Sequence, residues 1–152
     1  MEKAMAMYPS SPAKPEAERI RLGSFPPTVP ALRPWKMELG KTMAQASAYV
    51  DAREILWLAE ATAPGQAFEA LADSGPLRFH SLDFKLSAPL SRIIWVAQNA
   101  KPLREDLVTK EERTPLAGTV VKGRQVLFSM YGSFKTNGAL SLIHSVEDLS
   151  NL

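Results

Sequence analysis

The stretch GTVVKGRQVLFSMYG, residues 118–132, decides how the second half of this chain is read. Gly118 and Gly123 have the spacing of a phosphate-cradling loop, whose backbone N–H groups wrap an anion. The lysine and hydroxyl that should follow are replaced by Arg124 and Gln125. Lys122-Gly123 ahead of an apolar run also has the outline of a base-stacking RNA-binding strand. The aromatics that such a strand needs are replaced by Arg124 and Val126. What remains is a hairpin. Lys122-Gly123 is the turn, because glycine is free to take positive φ, and it joins TVV to RQVLFSMY. Val126, Phe128 and Met130 would then share one face, with Arg124 at the rim.

Working upstream, RFHSLDFKLSA alternates in the same manner. His80, Leu82, Phe84, Leu86 and Ala88 oppose Ser81, Asp83, Lys85 and Ser87, the pattern of a half-buried strand. SRIIWVAQ (91–98) is a more continuous apolar run, as in an interior strand, and ALSLIHSV (139–146) supplies a last one. KPLREDLVTKEER (101–113) reads as a surface helix, with Pro102 in its first turn and Asp106 one turn from Lys110. Before these lies the strongest helix signal, from Glu38 to the Pro64-Gly65 stop, with Leu39, Met43, Ala46 and Val50 along one side. A short second helix is expected over about 65–73. The expected fold is α+β: a Pro-rich extended arm, a long and a short helix, and a mainly antiparallel sheet of four to five strands with one helical crossover.

Proline placement sets the domain plan. Seven of the twelve prolines fall within the first 34 residues, where the missing N–H and the restricted preceding residue oppose regular structure. Residues 1–36 are therefore expected to be an extended arm and 37–152 one compact domain. The arm carries a formal charge of +3, residues 37–91 carry −3, and residues 92–152 carry +2. Such asymmetry lets copies attract one another, or lets the arm meet an anionic partner. Pro9, Pro12 and Lys14 match a polyproline docking motif with a trailing base, and Pro27 and Pro30 repeat its spacing. Trp35, at the end of the arm, is the candidate intersubunit anchor.

With no cysteine, disulfides and thiolate metal sites are excluded. The acidic pairs Glu105-Asp106, Glu111-Glu112 and Glu147-Asp148 are adjacent residues that do not converge on one ion, so no metal site or cofactor is expected. No apolar run approaches transmembrane length, and the N-terminus lacks a leader's apolar core. The chain is read as cytoplasmic or intracellular, neither secreted nor membrane-spanning. His80 and His144 are the two histidines, the residue type suited to acid–base work at neutral pH. If brought together they would form the acid–base pair of a metal-free ribonuclease or toxin, with Arg124 steadying the phosphorane.

The leading expectation is a non-enzymatic assembly or interaction protein. Its arm would dock on a neighbouring copy or partner, and Arg92, Lys122, Arg124 and Lys135 would face nucleic acid or an anionic membrane surface. This layout resembles that of virion and phage matrix or shell subunits, which associate through extended arms. The ribonuclease and a polyproline adaptor are the alternatives.

Overall fold

The computed structural model describes residues 14–76, 79–98 and 100–150, with side chains through Thr136 except that of Ala117. Among the described residues there is no strand. Five α-helices are connected by short 3-10 turns and extended links: α1 (Val29–Ala46), α2 (Arg53–Ala59), α3 (His80–Val96), α4 (Lys101–Arg113) and α5 (Gly123–Ser150). The fold is all-helical, and the α+β expectation is overturned.

Burial on α3 shows why. Phe79, Leu82, Leu86, Leu90 and Ile94 are all shielded from water, three or four positions apart, which is one face of a helix. A strand would have hidden the even positions, yet His80, Phe84 and Ala88 are exposed. Asp83, assigned to the wet face, is 0% exposed. The two strands expected over 80–88 and 91–98 are one continuous helix, running through Pro89 at the cost of the N–H that would bond the Lys85 carbonyl.

The opening stretch is helical as well. Gly118, at φ 81°, closes a 3-10 turn and donates its N–H to the Pro115 carbonyl. Residues 119–122 are an extended link, and α5 begins at Gly123. Val126, Leu127, Met130 and Tyr131 are its buried positions, whereas Phe128, expected to share a face with Val126, is only partly covered. The strand expected at 139–146 falls within α5 too.

The N-terminus of α5 presses into α3. A Cβ at position 123 would lie 2.5 Å from the Leu86 Cβ, so only glycine fits at this crossing. Lys122-Gly123 is thus a helix start at a close contact. α5 supplies the centre against which α3, α4 and the 3-10 turns at Glu60–Thr62 and Ala70–Ala72 pack.

α1 starts inside the expected arm. Thr28 accepts the Ala31 N–H at 3.3 Å as its cap, and Pro30 and Pro34 occupy its first turns. Leu39, Met43 and Ala46 are its buried stripe. The long helix expected from Glu38 to Ala63 is interrupted at 47–52. There the Ser47 hydroxyl accepts the Tyr49 N–H, and Ala52 takes the left-handed conformation at φ 57°. Serine, valine and aspartate cluster at this break, all poorer helix formers than the flanking alanines and leucines. α4 spans the residues read for it, with Asp106 and Lys110 paired at 2.9 Å.

Residues 14–28 lie against their own domain. The Lys14 and Ala17 N–H groups bond the Ala48 and Ala46 carbonyls, Ile20 is buried, and Phe25 stacks on Phe134 with ring centres 5.4 Å apart. The described part of the arm is a belt that starts at the C-terminal end of α1, passes along α3 and reaches α5 at Phe134.

Candidate interaction surface

Two of the four residues nominated for anion binding are internal. Arg124 is 2% and Lys122 8% exposed. The Arg124 guanidinium donates to the Trp57 carbonyl (3.2 Å), the Glu60 carboxylate (2.7 Å) and the Asp73 carbonyl (2.7 Å), and stacks over the Trp57 ring. The Lys122 ammonium donates to the Ala72 carbonyl. Gln125 donates to the Phe68 carbonyl and accepts the Lys122 N–H, each at 3.0 Å. These side chains staple residues 57–73 to the start of α5, taking up loop carbonyls that would otherwise be buried without donors.

Asp83 completes the junction from α3. One carboxylate oxygen accepts the Arg124 N–H at 2.9 Å and the other accepts the Ser74 hydroxyl at 2.8 Å. Burial pushes its pKa above the usual carboxylate value, opposed by those two hydrogen bonds and by the Arg124 and Lys122 charges. Asp83 caps the second N–H of α5, while Gln125 reaches back to the Lys122 N–H as in a capping box. Glutamine three residues after the cap position was the sequence signal that marks a helix start here.

The remaining nominated residues divide as follows. Arg92 and Lys135 are exposed. Lys14 donates to the Ala44 and Gln45 carbonyls at the C-terminus of α1, where a cation meets unpaired carbonyls. Pro27 and Pro30 are exposed at the start of α1, and Trp35 is half-buried against the core. Pro9 and Pro12 lie outside the described residues. His80 is exposed, its ring edge-on to Phe84. His144 lies on α5 beyond the described side chains, and Arg124, the third member of that constellation, is engaged internally. Among the described residues no three His, Cys, Asp or Glu side chains converge as a metal site, and no helix is long and apolar enough to cross a membrane.

The open chemistry lies on the outer side of α3, within the run 91–98 that the sequence pattern assigns to an interior strand. Trp95 is 64% and Val96 75% exposed. With Phe84, Val120 and Val121 they line a cleft of about 680 Å³ between α3 and the link to α5. Ser87, Ala88 and Ser91 form its middle and leave room for an approaching chain. On the other flank of α3 a second groove, about 710 Å³, runs between the helix and residues 18–22. Arg19, Arg21 and Arg92 line it and are exposed.

Comparison of the chain with family models, with curated proteins and with solved structures finds no match.

Proposed function

We propose that this chain is a non-enzymatic assembly or interaction subunit, and that it associates with further copies through the Trp95 cleft on α3. The observation that carries this reading is the exposure of Trp95 and Val96 on a helix whose opposite face is fully packed. Exposed apolar side chains with an aromatic anchor, bordered here by Arg92 and Glu111, are the usual core and rim of a protein–protein contact. The cleft runs beside α3, and the small residues Ser87, Ala88 and Ser91 in its lining let a neighbouring helix approach closely.

The arm contributes differently from the expectation. Its described residues bind their own domain, so residues 14–28 shape the subunit, and docking is assigned to the α3 surface.

Sedimentation velocity tests this. The full chain is expected to shift to larger species as its concentration rises, and the Trp95→Ser/Val96→Ser double variant to stay monomeric with an unchanged thermal melt. A wild type that stays monomeric throughout, or a double variant that associates equally well, removes the reading.

A further inference from the structure

We propose that the groove between residues 18–22 and α3 binds the phosphate backbone of a single-stranded nucleic acid. The groove shares Arg92 and Ala88 with the lining of the Trp95 cleft, and adds two arginines on the belt that sequence reasoning had not singled out.

The geometry comes from the belt. Ile20 is buried while Arg19 and Arg21 on either side of it are exposed, and two residues of chain separate them by at most about 7 Å. That step is comparable to the one between successive phosphates of a stretched single strand. A polynucleotide repeats its charge at a fixed interval, whereas carboxylates on a folded protein partner do not. Arg92 stands on the opposite wall, contributed by α3. None of the three arginines makes a hydrogen bond or ion pair with another described residue.

Neighbouring groups sharpen the site. The Lys85 ammonium, which also lines the groove, is already taken by the Glu16 carboxylate and the Ala17 carbonyl. Glu18 is the acid on the groove wall, leaving an excess of positive charge. Residues 18–22 make no backbone–backbone hydrogen bond with another described residue.

The test is fluorescence anisotropy with a labelled oligothymidylate of about 20 nucleotides, titrated over a range of salt. Three phosphate contacts predict that log affinity falls against log salt with a slope of about −2. Arg19→Ser/Arg21→Ser is expected to weaken binding at least tenfold and reduce the slope to about −0.7. Arg92→Ser alone should reduce it to about −1.4. The Trp95→Ser/Val96→Ser variant should bind as wild type, which separates this site from the assembly surface. Four results overturn the proposal: no salt-dependent binding, unchanged binding by the Arg19/Arg21 variant with an intact fold, equal binding of a polyglutamate of matched charge, or stronger binding to a duplex or to phosphatidylserine vesicles.

Discussion

The carboxylate of Asp83 accepts the backbone N–H of Arg124 at 2.9 Å, so a residue on α3 caps the first turn of α5 from 41 positions away in the sequence. The same carboxylate holds Ser74, and Arg124 in turn holds the loop that Ser74 ends. Three separate segments are fastened at one buried point.

Asp83→Ala should cost about 2–3 kcal/mol, because it strips a cap and leaves buried donors without an acceptor. Asp83→Asn keeps an acceptor for Arg124 and a partner for Ser74, and should cost much less. The pH dependence follows from the raised pKa. A carboxyl raised by folding adds stability below its unfolded value of 3.8 and loses that contribution as pH rises through the folded value. Relative to wild type, Asp83→Asn should therefore gain ground in denaturant melts as pH rises above 3.8. The opposite slope would show that burial is not the dominant influence on this group.

Gly123→Ala should destabilise by about 1–3 kcal/mol through overlap with Leu86. Leu86→Ala will cost stability itself, but a double-mutant cycle should show the two changes to be coupled, since removing the Leu86 side chain relieves the contact. Additive effects would contradict the close crossing of α3 and α5.

Ala52→Gly should stabilise the protein by about 0.5–1 kcal/mol. Ala52 is held at φ 57°, where an L side chain is strained and glycine is not. Urea melts of the two proteins provide the comparison, and a loss of stability would show that the left-handed turn between α1 and α2 is not the native conformation.

Glu54 is 0% exposed, and neither carboxylate oxygen has a hydrogen-bond partner among the described residues. Glu54→Gln should raise stability by about 1 kcal/mol or more, because an unpartnered buried carboxylate is costlier than a neutral amide. Equal or lower stability would mean that the acid is paired in solution.

Arginine modification distinguishes the buried cation from the exposed ones. Brief treatment with phenylglyoxal, followed by peptide mass spectrometry, should label Arg19, Arg21 and Arg92 and spare Arg124 until the protein is unfolded. Early labelling of Arg124 would be incompatible with its 2% exposure.

The legible parts of the fold were those with local punctuation. Pro102 in the first turn and the Asp106–Lys110 spacing marked α4 over 101–113. The apolar stripe Leu39, Met43 and Ala46 marked α1, although its start in the proline-rich arm and its end at Ser47 were missed. Over 80–88, Leu82 and Leu86 satisfy both a two-residue and a four-residue repeat. The continuation to Leu90 and Ile94, a full helical face, is what separates the two readings.

The candidate site was less legible. Arg92 was named as an anion-facing cation, but Arg19 and Arg21, which line the same groove, lay in a segment read as an extended arm docking on a neighbouring copy or partner. Lys122 and Arg124 were read as a basic hairpin tip because Lys122-Gly123 between two apolar runs has the form of a turn.

Composition and local pattern alone determined that the chain carries a core, that 38–46 and 101–113 are helical, and that no thiol chemistry is present. Only the tertiary structure decided which cations face water. The carbonyls at 57, 72 and 73, the Glu60 carboxylate and Asp83 come from distant segments, and their convergence draws Lys122 and Arg124 inward. A hydrogen-bonded guanidinium inside the fold and a solvated one on its surface have the same one-letter code; the partners that distinguish them are assembled by long-range packing.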